Sequence, residues 1–575
     1  MSRRAEATLI VLVLLVAAWL RLRGLDWGLP YPYHPDEGSI LFHSLAFGTG
    51  DLNPHWFRWP SLLMYFMFGV YGVYFIFGKV LGTFGAPIDI LRSYLTDLSP
   101  FWLMGRWVSA LAGVATVWVT YRMGKRVFGA AAGLVAALFL SVVYLHVRDS
   151  HYATPDVAAT LLAAASLLAA LRACESGRVR DLVLSGLLAG LSASAKYPGI
   201  VAAAGTMAAF SYLASRRAIR FPALVWAGAA CVLGFVVGTP YSVLAMPEFA
   251  RDVTRQFAMV SSAGVAQAPT SFGSGIAEVF GKTVGRGITY PIAALALIGA
   301  LWPLGAKGGQ RPVLVAYLVM VFLFAVLITV KRSTYLTPAL PAIAVLAGGA
   351  LEGVLRRVAR ALGAPAGATV SAAAVALAVL AVIPSVRFGT AIASPDTRTL
   401  AKIWVEREVP AGAGIAVEEY GPVLNRSEEQ LKAMVAADTT AVEEWKGAQE
   451  MLSRLRLEVG LAREPKYGVY GIGHGEGEYR LPEAALEPLR LASSIESLGI
   501  RFVVLSSKAA PWRAMDGAEA PEAEVESRFY DWLRGRATLR ERFVAGSPVP
   551  RIDRGPGRSF HDPVIEIYEV ERSHP

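Results

Sequence analysis

The sequence predicts a polytopic α-helical membrane protein that carries a soluble α/β domain towards its C-terminal end. Three observations lead there. Only 17% of the 575 residues are charged and 54% are hydrophobic, whereas an average soluble protein carries roughly 25% charged residues. Apolar runs near the ~20 residues that cross a bilayer as a helix recur from Ile10 to about Ile383. From Pro384 onwards charges become frequent and the apolar runs shorten. Residues 1–385 are therefore read as a membrane domain and 386–575 as a soluble one.

Taken in order, the apolar runs predict about 11 spans, near residues 7–22, 103–121, 127–147, 155–172, 182–195, 198–214, 221–240, 287–304, 312–330, 335–355 and 366–384. Met1-Ser2-Arg3-Arg4 before the first run resembles a signal peptide, but no small-residue cleavage site follows, so an uncleaved helix is expected. Cytoplasmic loops collect Lys and Arg. With Arg3 and Arg4 inside, this parity also puts inside Arg122, Lys125 and Arg126, then Arg172, Arg178 and Arg180, then Arg216, Arg217 and Arg220, then Lys307 and Arg311, and last Arg356, Arg357 and Arg360. Arg21, Arg23, Lys331 and Arg332 run against the rule. The segment from Ser61 to about Gly82 would reverse the parity if it crossed. It is read as an interfacial or re-entrant helix, or helix pair, with Tyr65, Tyr71 and Tyr74 suited to the interface. The chain is expected in the inner (plasma) membrane, with the first outer loop at 23–102 and the soluble domain extracytoplasmic.

The net charge of +10 suits cytoplasmic loops better than nucleic acid, because the soluble part has no basic run interleaved with aromatics. Cys174 and Cys231 lie in or beside apolar segments, which excludes a disulfide framework and a Cys-based metal site. No P-loop and no G-x-S-x-G elbow is present. In the soluble part, Thr397–Val409 reads as an amphipathic helix, Gly414–Val417 and Ile500–Leu505 as buried strands, about Glu522–Leu533 as a helix, and Val564–Tyr568 as a last strand.

The expected topology gathers the unusual polar residues at one membrane face. Asp36 and Glu37 follow Tyr33-His34-Pro35. A carboxylate there can take a proton from an attacking hydroxyl, or merely cap a helix. Asp149, His151 and Asp156 sit in the loop 148–156. Oxygen and nitrogen donors of this kind suit a divalent metal, although Asp156 after Pro155 could simply begin a helix. Lys196, Lys331 and Arg332 lie at the outer ends of spans, where they could hold a phosphate or attract lipid head groups.

In these residues the chain resembles the GT-C glycosyltransferases of family 39, the protein O-mannosyltransferases and lipid A aminoarabinose transferases. The likeness is carried in order by Tyr33-His34-Pro35-Asp36-Glu37, by Trp59 to Tyr65, by Gly105 to Gly113 and Arg122 to Gly129, by Arg148 to Asp156, by Ala195-Lys196-Tyr197, and by Arg332 to Pro341. The last stretch departs from the family's Arg-Tyr by placing Thr334 before Tyr335. The resemblance implies a GT-C fold and transfer of a sugar from a polyprenyl-phosphate carrier to an acceptor hydroxyl of a protein, lipid or glycan outside the cytoplasm, with inversion. Asp36 would be the base with Glu37 beside it. Lys196, Arg332, Lys331 and Arg106 would hold the donor phosphate, and a divalent metal is possible. The competing expectation is a transporter or lipid flippase using charges at the outer face. It would call for internal repeats and midplane sites, which the sequence does not display.

Overall fold

The computed structural model describes residues 1–261, 279–301, 308–328, 332–441, 446–472, 495, 497–507, 530–546 and 563–570. Lys307, Lys331, residues 302–304 and 329–330 at two expected span ends, and 522–529 of the expected helix lie outside them. The chain divides into two units. One comprises Met1–Leu25, Asp36–Tyr74 and Phe101–Gly389; the other comprises Asp26–Pro35, Phe75–Pro100 and Thr390–Pro575. A single cut at 385 would miss that two pieces of the first loop join the C-terminal unit.

Among the described residues, each of the eleven expected spans contains an α-helix. They are α1 (Arg3–Leu22), α5 (Ser99–Val127), α6 (Ala130–Val142), α8 (Pro155–Ser176), α9 (Val179–Ala195), α10 (Ala203–Ser215), α11 (Pro222–Gly238), α14 (Tyr290–Leu301), α15 (Gln310–Leu327), α16 (Leu340–Ala361) and α17 (Ala366–Ile392). Between them lie α2 (Glu37–Ala46), α3 (Leu62–Val80), α4 (Ile88–Thr96), the short α7 (Tyr144–Asp149), the single-turn α12 (Tyr241–Leu244) and α13 (Met246–Ser261). Among the described residues, eight helical stretches are long and apolar enough to cross a membrane, and three shorter apolar helices join them. The expected interfacial or re-entrant segment is one continuous helix, α3. It buries Leu63, Met64, Met67 and Tyr71 and leaves Phe66, Val73, Ile76 and Phe77 exposed.

In hydrocarbon, helices associate by close packing rather than by the hydrophobic effect, so small residues mark their seams. Gly186 and Gly190 on α9 meet the Ala227 and Cys231 carbonyls of α11, while Gly234 of α11 meets the Leu187 carbonyl. A Cβ at Gly190 would overlap backbone, so the two helices can approach this closely only with glycine there.

Three of the expected spans that end at the polar motifs are broken at that end. The run 127–147 is interrupted at Val143, which is extended, and α7 follows. The run 198–214 opens as a 3-10 turn, Tyr197–Ala202. The run 335–355 opens as a 3-10 turn, Ser333–Ala339, containing Pro338. Proline removes a backbone donor and disfavours continuous α-helix, and non-helical backbone at membrane depth persists only where protein buries or satisfies it. These breaks carry the polar motifs.

In the C-terminal unit, α18 (Thr397–Glu408) is followed by β1 (Gly414–Glu418), α19 (Glu428–Ala441), α20 (Lys446–Leu461), β2 (Gly468–Ile472), β3 (Ile500–Ser506), β4 (Ala537–Phe543) and β5 (Ile565–Val570). Strand order is β2-β1-β3-β5-β4. β1 is parallel to β2 and β3, and β5 is antiparallel to β3 and β4. Alternate residues point to opposite faces of a strand. Ile415, Val417, Phe502, Val504, Ile565 and Ile567 accordingly pack with Ala401, Val405 and Val409 of α18, while Ala416, Val503 and Tyr568 pack with Tyr530 and Leu533. The expected α/β domain is therefore present.

The loop pieces within this unit are held by specific contacts. Arg398, fully buried and bidentate on Asp396, lies 3.8 Å from the Tyr33 ring centroid. The Tyr33 hydroxyl bonds Thr399 Oγ1 at 2.9 Å. Arg463 donates to the carbonyls of Leu95 and Thr96 at 2.6 and 2.9 Å.

Candidate active site

The polar motifs of the helical unit resolve into four carboxylate–cation pairs. Glu37, in the first turn of α2, and Arg106, on α5, are both fully buried. Arg106 Nε and Nη2 donate to the two Glu37 oxygens at 2.8 Å each, and Nη1 donates to the Leu25 carbonyl at 2.7 Å. The Ala153 amide also donates to Glu37 Oε1 at 2.9 Å. A bidentate guanidinium–carboxylate pair suits such burial, because the geometry satisfies both charges at once. The structure thus gives Glu37 and Arg106 to each other. Their bonds join four segments, at Leu25, Glu37, Arg106 and Ala153, and the expected catalytic Glu37 and phosphate-binding Arg106 are both buried in this arrangement.

Asp149 accepts from Arg148 Nε and Nη2 at 2.9 and 2.7 Å and from Thr337 Oγ1 at 2.5 Å. Arg148 also donates to Ser333 Oγ at 2.9 Å, so the break before α8 and the break before α16 are stitched together. Lys196 Nζ lies 2.5 Å from Asp156 Oδ1 and 5.7 Å from the Tyr335 ring centroid. In the fourth pair Arg332 Nη1 stands 3.6 Å from Asp36 Oδ2, with side chains 56% and 34% exposed. Asp36 occupies the N-cap position of α2, but its side chain makes no capping bond. The simple capping role for Asp36 is thereby set aside.

His151 is buried, with Nδ1 2.8 Å from the Val147 carbonyl and Nε2 3.1 Å from the Arg23 carbonyl. Burial pushes its pKa down to about 4, so the ring is neutral near pH 7 and donates to one carbonyl at a time. The expected metal set does not assemble. Asp149, His151 and Asp156 are taken by Arg148, by backbone and by Lys196, and among the described residues no three His, Cys, Asp or Glu side chains converge as a metal ion would require. The donor set does not fit a divalent cation, and no chemistry is routed through one.

Sequence reasoning missed two features. Arg21, fully buried, donates to the Ala17 and Ser141 carbonyls at 3.0 Å and to Leu140 at 3.2 Å, and its Nη2 lies 2.9 Å from His146 Nδ1. It supplies donors where the Val143 break ends α6, which explains why it breaks the positive-inside pattern: it is a packed residue, not a loop charge. The second is α13, whose Glu248 and Asp252 hold the first outer loop. His55 reaches Glu248 Oε1 at 3.0 Å and Asp51 Oδ2 at 2.9 Å, Asn53 donates to Glu248 Oε2 at 2.8 Å, and the Phe57 amide donates to Asp252 at 3.0 Å. An acidic pair four residues apart on an amphipathic helix was the available signal.

Fold and sequence define the class: a multi-span helical membrane protein with a C-terminal α/β domain. Residues 101–241 match the family model described as dolichyl-phosphate-mannose-protein mannosyltransferase, so the resemblance read from the sequence is supported over that stretch. No curated protein sequence matches the chain. Similar solved structures include ArnT from Cupriavidus metallidurans bound to undecaprenyl phosphate, at 16% identity and TM-score 0.46, covering 98% of each chain. The Archaeoglobus fulgidus oligosaccharyltransferase in its apo form matches at 12% identity and TM-score 0.48, covering 98% of this chain and 75% of that one. The arabinofuranosyltransferase AftD from Mycobacteria matches at 17% identity and TM-score 0.40, covering all of this chain and 42% of that one.

Proposed function

We propose that the protein transfers a sugar from a polyprenyl-phosphate carrier to an acceptor hydroxyl on the outer side of the membrane, with inversion, and that Asp36 is the general base. The observation that carries this reading is the contrast among the four acidic residues. Glu37, Asp149 and Asp156 are buried, whereas the Asp36 side chain is 34% exposed. A family described by dolichyl-phosphate-mannose supports a polyprenyl-phosphate donor. The acceptor oxygen attacks the anomeric carbon as its proton passes to Asp36. The carbon–oxygen bond to phosphate breaks with its electron pair on the phosphate. A phosphate leaves readily, so stabilising its charge is the main remaining task, a role for Arg332 and Lys196.

The test is release of polyprenyl phosphate from polyprenyl-phosphate sugars by the purified protein. Replacing a positioned base lowers rates by about 10²–10⁴-fold, and Asp36→Asn is expected to fall in that range with donor binding retained. Full activity in that variant overturns the assignment of the base. Movement of intact donor across the bilayer without bond cleavage would instead favour the flippase reading.

A further inference from the structure

The helix ends remote from the polar breaks carry a second group of charges. Asp156 stands in the first turn of α8 and Arg172 near its other end, roughly 24 Å away at 1.5 Å per residue. There Arg126, at the end of α5, bonds Glu175 of α8. Glu175 also accepts from Gln310 Nε2 of α15 at 2.6 Å. Arg122 and Arg172 both act on Arg126 as like charges. Neither has a close carboxylate among the described residues. Arg172 Nη2 stands 3.9 Å from Asp181 Oδ1, beyond hydrogen-bond distance, and its side chain is 48% exposed. Asp181 accepts instead from Ser176 Oγ at 2.6 Å. Arg122 is exposed, and its guanidinium lies 5.8 Å from the Trp118 ring centroid.

Three guanidiniums gathered in this way repel one another unless an anion joins them, and the guanidinium fork matches phosphate oxygens. The surface leading to them separates a lipid from a free phosphate. Trp107, Leu111 and Trp118 are exposed, and with Arg122 they recur at helical spacing along one side of α5. Trp marks the level of the head groups, so an apolar stripe ends there in a cation, as a lipid ends in its phosphate. We propose that Arg122, Arg126 and Arg172 bind the phosphate of an acidic phospholipid, whose acyl chains lie along Trp118, Leu111 and Trp107. The single negative charge of the phosphodiester allows the three arginines to stand together. A choline lipid carries the same phosphate but adds an ammonium that the arginines repel. This inference is separate from the transferase reading, because it concerns the other ends of the helices and no reacting group.

The full-length protein in detergent is titrated with dioleoylphosphatidylglycerol or dioleoylphosphatidylcholine, and retained lipid is counted by native mass spectrometry. Wild type is expected to bind phosphatidylglycerol about tenfold more tightly than phosphatidylcholine. Arg122→Gln combined with Arg172→Gln weakens phosphatidylglycerol by about tenfold. Arg216→Gln with Arg220→Gln removes as many charges at the turn between α10 and α11 and changes it by less than about twofold. Arg122→Lys with Arg172→Lys keeps the charge and loses the fork, so it recovers part of the affinity and reads the site even where the Gln pair is less stable. Equal binding of the two lipids overturns the site. Equal loss in the two Gln pairs also overturns it, since general attraction to surface charge then accounts for the binding. Inorganic phosphate that displaces phosphatidylglycerol at equal concentration overturns the lipid as the ligand, because the apolar stripe would contribute nothing.

Discussion

Replacing Arg21 by Leu removes the donors that serve the Leu140 and Ser141 carbonyls at the Val143 break. A buried acceptor left without a partner costs ~1–3 kcal/mol, so the thermal midpoint in detergent should fall clearly. Arg21→Lys should recover only part of the loss, because an ammonium lacks the planar fork that spans two carbonyls. Equal midpoints for the Leu variant and wild type would contradict this account. The Glu37–Arg106 pair makes a complementary prediction. Glu37→Leu alone strands the Arg106 charge and should cost ~3–5 kcal/mol, while Glu37→Leu with Arg106→Leu should be more stable than that single variant. A double variant less stable than the single would show that Arg106 is satisfied without Glu37. These two arginines also mark the limit of reading charges from sequence. Arg21 appeared only as an exception to a loop rule, and Arg106 only as a donor-phosphate cation implied by the resemblance, because Ser141 lies 120 residues from the one and Glu37 69 residues from the other.

At the scale of elements, the first outer loop is latched to α13 by a proton. Both ring nitrogens of His55 face carboxylates, Asp51 and Glu248. A neutral imidazole has one N–H and can donate to only one of them. Burial opposes the charged ring, but the bonds from Asp51 and Glu248 outweigh it and raise the His55 pKa above its usual value. Half-buried His43, whose own pKa desolvation lowers to about 4, stacks on Trp56 beside the latch. A raised folded-state pKa contributes stability that is fully present below the unfolded value, near 6.5, and fades as pH rises through the folded value. Amide hydrogen exchange over residues 51–57 should therefore open more readily above that pH, after correction for the intrinsic pH dependence, and His55→Gln should abolish the pH response. A corrected exchange rate that is flat with pH in wild type would exclude the latch. The apolar runs made the helices themselves legible: among the described residues, each expected span contains an α-helix. The break at Val143 was not, because 127–147 is apolar throughout and nothing in it punctuates the chain. The breaks at Pro198 and Pro338 carried their own signal in proline.

On the scale of the whole chain, the apolar runs and the shift in composition after Pro384 made a membrane domain followed by an α/β domain legible. They did not reveal that Asp26–Pro35 and Phe75–Pro100 belong with the latter, since the Arg398–Tyr33 stack and the Arg463 bonds to Leu95 and Thr96 join residues more than 360 positions apart. The expected topology keeps α3 on the outer side at both ends, although it is long and apolar enough to cross. In that topology the ten expected spans from α5 to α17 would return the chain to the outer side, and α1 would put the N-terminus opposite. The positive charges give the same parity with the cytoplasm as the side of Arg3 and Arg4. Single cysteines introduced at Leu52, Ser93 and Ser394 are therefore expected to react with an impermeant maleimide added to intact cells, and one at Lys125 only after permeabilisation. Labelling at Leu52 but not at Ser93 would mean that α3 crosses, and would place the later basic clusters outside.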